Sequence, residues 1–341
     1  MKLIIQIPCY NEHETLEETL GDLPRAIPGV DVIEYLIIDD GSSDGTAELA
    51  RRLGVHHVVR FAQNRGLAKG FMAGLDACLR LGADIIVNTD ADNQYSGADI
   101  PKLVQPILEG RADVVVGDRQ VDQVEHFSPA KKKLQKIGSW VVRLASNTRV
   151  PDATSGFRAL SREAALRAFV TSEFTYTLET IIQAGQAHLA VAAVPIRTNP
   201  KTRESRLFRS VPQYLRRSAG TIVRIYTMYK PLRAFLLLAA LFFLGGTGLG
   251  VRFLYYHVTE PHTGHVQSLI LASILLILSC LFGAVGLLAD LVGANRKLLE
   301  DAVIRLRRIE YGARADGAQL AAPAAPPPAP EAAAGRPAES P

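Results

Sequence analysis

Cysteine is scarce in this 341-residue chain and tryptophan scarcer still: Cys9, Cys78, Cys280 and the single Trp140. The cysteines show no metal-ligand or redox spacing, which argues against a thiol-based site and suits a reducing compartment. No internal repeat is visible. The opening MKLIIQIP meets a proline after a handful of apolar residues, so it does not read as a signal peptide. GSSDGT (41–46) lacks the Gly-Lys-Ser/Thr end of a Walker loop, which weakens a phosphate-loop reading. Charge is missing altogether from 268–289, and Lys and Arg are missing from the link at 259–265.

Those last two absences point to a membrane. AFLLLAALFFLGGTGLGV (234–251) and SLILASILLILSCLFGAVGLLA (268–289) each approach the roughly 20 apolar residues a membrane-spanning helix needs. Lys230 and Arg233 precede the first, and Arg296, Lys297, Arg305, Arg307 and Arg308 follow the second, so the positive-inside bias puts both flanks in the cytoplasm. Arg252 is the one misfit; it is expected to reach towards the outer interface beside Tyr255 and Tyr256. The net charge of +4 is mild but uneven: Arg197 to Arg233 holds ten Lys/Arg and one acid, Glu204. The Ala/Pro-rich tail at 313–341 cannot build a core and is expected to be disordered.

Short apolar runs at 3–7, 32–38, 56–60, 84–88, 113–117 and 189–195 read as strands, with helical patterns such as 14–20 and 67–79 between several of them. Asn11 and Glu14 have the spacing of a capping box. Apolar strands alternating with helices predict an α/β domain with a mostly parallel sheet covered on both faces. Ligands bind such sheets beyond the carboxyl ends of strands. The polar clusters fall there: PCYNE (8–12), DDGSSDGT (39–46), 64–70 and TDADNQ (89–94). One acidic turn would be an ordinary solvated loop; four on one edge suggest a site. Asp90 and Asp92 stand out, since two ionised carboxylates this close need a cation or donors to hold them.

In order, IPCYNE (7–12), IIDDGSSDGT (37–46), NRGLAKG (64–70), DADNQ (90–94), VVGDR (115–119) and SGFRA (155–159) resemble the family-2 inverting glycosyltransferases of GT-A fold. Among these the chain is most similar to the dolichyl- and polyprenyl-phosphate sugar synthases, over about residues 3–210. The resemblance implies a Rossmann-like GT-A domain at 1–200 and a basic juxtamembrane helical segment at 201–231. Membrane helices at 232–258 and 266–292, a cytoplasmic amphipathic helix at 293–312 and the tail at 313–341 complete the expected layout. It implies transfer of a sugar from GDP-mannose or a UDP-hexose to a polyprenyl or dolichyl phosphate, at the cytoplasmic side of the inner membrane.

By the family pattern, Asp90, Asp92 and Gln94 hold a metal, and all-oxygen ligands favour Mg²⁺ or Mn²⁺ over zinc. Pro8, Tyr10, Glu12, Asp39, Asp40 and Lys69 line the nucleotide-sugar pocket. Asp90, Asp92 and Arg119 carry catalysis. Arg119, Lys131, Ser155, Arg158, Lys201, Arg203 and Arg206 face the acceptor phosphate. Where the family usually has an Arg and a Ser, this sequence has KKKLQKIGS (131–139), with Lys131 and Gln135 as the nearest equivalents. Asp118 is an alternative base and Glu179 a further cleft residue, although a phosphate acceptor needs no base. The expected partners are donor, lipid acceptor and membrane, not nucleic acid, with self-association left open. A processive polysaccharide synthase would carry a Gln-Xxx-Xxx-Arg-Trp motif, whereas Trp140 sits in GSWVV. A nucleotidyltransferase would want a Gly-rich basic loop after the first strand. A lipid-binding scaffold leaves the acidic strand ends unexplained.

Overall fold

The computed structural model describes residues 1–120, 150–170, 176–199, 226–259 and 266–318, with residues 139, 142, 143, 146, 148, 220, 223 and 224. Seven strands form one sheet: β1 (Lys2–Cys9), β2 (Val32–Asp39), β3 (His57–Arg60), β4 (Ile85–Asn88), β5 (Val114–Asp118), β6 (Arg158–Ser161) and β7 (Val191–Pro195), in the order β3-β2-β1-β4-β6-β5-β7. All pairs are parallel except those of β6, which runs antiparallel between β4 and β5. Six strands match the apolar runs of the sequence. β6 escaped that reading because RALS is only four residues long and opens on an arginine that looked like a loop residue.

The strands are apolar throughout because both faces are covered. Ile4, Leu36, Ile38, Val114 and Val116 join one core; their neighbours Leu3, Ile5, Ile37 and Val115 join the other, as the two-residue strand period requires. Helices α3 (Leu67–Arg80), α5 (Arg162–Arg167) and α6 (Thr177–Gln186) lie on the first face. Helices α1 (Leu16–Gly21), α2 (Thr46–Arg52) and α4 (Ile100–Leu108) lie on the second. In α3, Ala68, Phe71, Leu75, Cys78 and Leu79 recur at helical spacing and are buried. Gly74 lets this helix close on the sheet: a Cβ there would sit 2.4 Å from Gln6 Oε1. The capping-box expectation fails. Asn11 takes a left-handed φ of 54°, its side-chain oxygen accepts from Ser43 N at 2.9 Å, and α1 starts only at Leu16.

Two helices, α7 (Pro231–Thr259) and α8 (Val266–Ala318), are long and apolar enough to cross a membrane. Only 11% and 17% of their most apolar windows is buried, unlike the core helix of a soluble protein. They pack together through small residues and aromatics: Gly246 lies against Ala272 and Leu276, Phe242 stacks on Phe282 at 5.3 Å, and Ser279 Oγ donates to Ala239 O at 2.9 Å. Arg252 lies over the Tyr256 ring, 5.7 Å from its centroid. The boundary expected at 292/293 is not a break, since α8 runs through it as one helix of 53 residues. Lys131, Gln135, Lys201, Arg203 and Arg206, and the tail beyond 318, lie outside the described residues.

Candidate active site

The carboxyl ends of β1, β2 and β4 lie side by side, so the loops that follow them share one edge. These loops are cross-tied. Asn11 N donates to Ser42 Oγ at 2.9 Å, Glu12 N to Thr46 Oγ1 at 3.0 Å and His13 N to Asp44 Oδ2 at 3.0 Å. Thr15 and Thr19, on or just before α1, both donate to Ala91 O, at 2.8 and 3.0 Å, and so fix the loop that carries Asp90 and Asp92. From the other side Asn199 holds that loop, with Asn199 N donating to Gln94 O and Asn199 Nδ2 to Asn93 O, each at 2.9 Å.

Asp39 and Asp40 are buried and engaged by their own surroundings. Asp39 Oδ1 accepts from Ser42 N at 2.9 Å, and its Oδ2 lies 3.1 Å from Arg60 Nε. Asp40 accepts from Arg65 N at 2.7 Å and Gly66 N at 2.9 Å, one amide per oxygen. Gly41 has a φ of 74°, and a Cβ there would strike the backbone of Gln63 and Asn64 at 2.6 to 2.8 Å. This turn therefore requires glycine.

Asp90 lies in different company. Burial, then the charge of Asp92, push its carboxyl up to about 7; Glu12 adds to the rise, while Arg119 and Arg158 oppose it. Asp92 Oδ1 accepts from Gln94 N at 3.3 Å. Gly156 leaves the space the Asp90 carboxylate uses, since a Cβ there would lie 3.2 Å from both carboxylate oxygens and 2.9 Å from Tyr176 Oη. Behind the pair runs a buried polar chain. Gln6 Nε2 donates to Asn88 Oδ1, and Asn88 Nδ2 donates to Gly156 O and Tyr176 Oη, all at 2.9 Å. Tyr176 stacks on Phe71 with ring centroids 3.9 Å apart.

Two arginines meet this cluster. Arg119 donates to both carboxylate oxygens of buried Asp152, at 2.6 and 3.0 Å, and to Thr154 Oγ1 at 2.8 Å. Burial alone would raise the Asp152 carboxyl; the charge and hydrogen bonds of Arg119 bring it below the ordinary value. Arg158 is only 1% exposed and donates to Ser155 O, Thr177 O, Thr180 Oγ1 and Ala153 O at 2.6 to 2.9 Å. Burial lowers its guanidinium to about 10.

The Glycosyl transferase family 2 profile matches residues 4–169. The chain is 30% identical over 206 residues to the polyprenol monophosphomannose synthase of Mycolicibacterium smegmatis, covering 57% of this chain and 76% of that protein. It is also 30% identical over 216 residues to the UDP-N-acetylglucosamine--dolichyl-phosphate N-acetylglucosaminyltransferase of Methanococcus voltae, covering 56% of this chain and 83% of the relative. The chain belongs to glycosyl transferase family 2. Its fold is similar to that of glucosyl-3-phosphoglycerate synthase from Mycobacterium tuberculosis, crystallised with Mn²⁺, UDP and phosphoglyceric acid: TM-score 0.51, 19% identity, 66% of this chain and 77% of that one.

Within this family-2 domain, the structure gathers Glu12, Asp90, Asp92, Arg119 and Arg158 into one charged cluster. Pro8 closes β1 beside Asp39 and Asp40, while Tyr10 and Lys69 stand exposed on the neighbouring loop and the first turn of α3. Ser155 is buried, and among the described residues its Oγ has no hydrogen-bond partner. Among the described residues no group of three or more His, Cys, Asp and Glu is placed to hold a metal. Mg²⁺ rarely asks for such a cage: one or two carboxylates, with substrate phosphates supplying further oxygens, suffice. The Asp90–Asp92 pair fits that pattern, because its mutual repulsion is the kind a cation relieves.

The sequence reading missed Asp152, Asn88 and Tyr176. Asp152 lies three residues from the SGFRA motif, and its proximity was the one available signal. The other two carry no periodic or spacing mark.

Proposed function

We propose that this family-2 glycosyltransferase moves a hexose from GDP-mannose or a UDP-sugar onto a polyprenyl or dolichyl phosphate, with inversion, at the cytoplasmic face of the membrane. The observation that carries the reading is the half-buried acidic pair Asp90–Asp92, crowded in charge and close to Arg119, on a domain joined to two membrane-length helices. The named activities of the relatives support the acceptor class.

In this reading the edge formed by Pro8, Tyr10, Glu12, Asp39, Asp40 and Lys69 receives the nucleotide. Asp39 and Asp40 serve mainly by holding the 41–46 and 64–70 loops in shape, through the bonds described above. Asp90 and Asp92, with Gln94 beside them, would hold Mg²⁺ or Mn²⁺, which when bound supplies positive charge for a diphosphate leaving group. Arg119, oriented by Asp152 and Thr154, contributes a fixed positive charge towards the acceptor side. Arg158 is a positioning residue: its guanidinium ties the Ala153–Ser155 turn to α6. Lys131, Lys201, Arg203 and Arg206 are proposed to gather the acceptor phosphate at the membrane surface. A phosphate monoester is largely anionic near neutral pH, so correct placement suffices and neither Asp90 nor Asp118 is needed as a base.

The test is incubation of membranes containing the protein with a panel of radiolabelled sugar nucleotides. Label should enter the lipid fraction, and more so when polyprenyl phosphate is added. Label in a polymer would point to a processive synthase, and no incorporation at all would point to a scaffold. For orientation, a cysteine at Thr263 should react with an impermeant thiol reagent in intact cells and one at Ala321 should not; the reverse pattern overturns the cytoplasmic assignment.

A further inference from the structure

Helix α8 does more than span. At 1.5 Å per residue its 53 residues extend about 80 Å, against about 30 Å of hydrocarbon. It contains no proline to bend it. The residues after 290 therefore project roughly 40 Å beyond the apolar span, into water.

One side of this projection is clamped to the catalytic domain. Arg296 lies over the Tyr229 ring at 4.1 Å. Arg307 donates to Leu166 O and Ala168 O at 3.2 and 2.9 Å, Arg308 to Glu163 Oε1 at 2.6 Å, and buried Tyr311 bonds Asp76 on α3. The remaining surface carries charge at Lys297, Asp301 and Arg305, but also apolar side chains that a strut in water should not expose. Leu298, Leu299, Leu306 and Ile309 are 65 to 71% exposed, and Val303 is 41% exposed. They form one stripe at helical spacing, well above the hydrocarbon, so lipid does not cover it.

The spacing says what does. Val292, Asn295, Leu299, Ala302, Leu306 and Ile309 alternate steps of three and four, the a and d positions of a heptad. In that frame the g and e positions that meet across a parallel pair are Leu298 with Val303, and Arg305 with Glu310: one apolar pair and one of opposite charge. Two copies of this chain inserted alike in one membrane present this helix in parallel. We propose that the stripe is a dimer interface, in which the α8 projections of two copies form a short parallel coiled coil standing on the membrane. Three heptads are short for a soluble coiled coil, and confinement to the membrane raises the effective concentration that offsets this. Arg305 also lies 2.9 Å from Asp301, and Glu310 3.7 Å from Arg80, so the contact between copies would share these charges. The proposal does not depend on which sugar or lipid the enzyme uses.

Full-length protein in native membranes, with Cys280→Ser as background, tests it by single cysteines. Under mild oxidation Leu299→Cys and Leu306→Cys should form disulfide-linked dimers at least about tenfold more than Lys297→Cys, which lies on the outer f position. Arg305→Glu and Glu310→Arg should each reduce the Leu306→Cys dimer, and the two together should restore it. Equal crosslinking at Lys297 and Leu299 would overturn the proposal, as would none at any position. It also fails if Leu299→Cys is shielded from a thiol reagent without dimerising, because the stripe is then covered by the chain's own residues. If the doubly swapped variant stays as low as the single ones, the charge pairing assigned to Arg305 and Glu310 is wrong.

Discussion

Two acidic turns occupy the same sheet edge and look alike in sequence, DDGSSD after β2 and TDADNQ after β4, yet they are solved in opposite ways. In the first, each carboxylate has its counterpart within the fold: Asp39 has Ser42 N and Arg60, and Asp40 has two backbone amides. In the second, the nearest charges to Asp90 include two further acids, and burial with Asp92 drives its carboxyl up to about 7. Carboxylates held by backbone amides and an arginine shape a loop; a carboxylate whose proton affinity is raised by a second one beside it is stabilised by a bound cation. The β2 turn should therefore matter chiefly to folding, and the β4 turn chiefly to turnover.

The strongest way to break this contrast is to exchange the two outcomes by mutation. Asp92→Ala should lower transfer about 100-fold or more, since metal-type charge stabilisation contributes several kcal/mol at the transition state. Its thermal midpoint should stay equal or rise, because carboxylate crowding is relieved. Asp90→Asn should follow the same pattern. A fall in midpoint matching the fall in rate would mean that both turns are structural.

Asp40→Ala is the reciprocal case. It leaves the amides of Arg65 and Gly66 without their acceptor, at about 1–3 kcal/mol for each unsatisfied group, and should lower the denaturant midpoint clearly. Residual activity per folded molecule should exceed that of Asp92→Ala. A stable but inactive Asp40→Ala would give Asp40 a direct role with substrate.

A middle-sized effect separates Arg119 from its partner. Asp152→Asn keeps the shape but removes the charge that orients the guanidinium, and should raise the apparent Michaelis constant for the lipid acceptor several-fold, with little change for the sugar nucleotide. Equal changes for both substrates would place Arg119 between them.

The smallest effect is expected at the opposite end of β2. Glu34 is held at about 2 by its bond to His57 and then by Lys2, against the pull of burial. Its folded value is depressed, so its stabilisation is present above about pH 4.5 and fades as pH falls towards 2. The stability difference between wild type and Glu34→Gln should be under about 1 kcal/mol at pH 6 and should shrink on acidification. A difference that grows as pH falls would reverse the sign of the interaction.

Much of this was legible in the sequence. Six of the strands, α3, both apolar helices and the grouping of acidic turns on one edge follow from periodicity and from where apolar runs end. The difference between the two turns was not, because it depends on partners distant in the chain: Arg65 and Gly66 for Asp40, Ala91 with Thr15 and Thr19 for the β4 loop. Arg158 shows the same limit. Its motif suggested a group aimed at phosphate, and only the fold shows four of its donors committed to protein oxygens. The continuity of α8 was hidden because composition changes at 292 while the helix does not.

The central claim is that the Asp90–Asp92 pair, and not Asp39–Asp40, is the cation site. Mn²⁺ binding to the purified full-length protein with UDP or GDP present, followed by electron paramagnetic resonance, tests this directly. The wild type and Asp40→Asn should bind with similar affinity, and Asp92→Asn should bind at least about tenfold more weakly. Unchanged binding in Asp92→Asn, or a loss confined to Asp40→Asn, would contradict it.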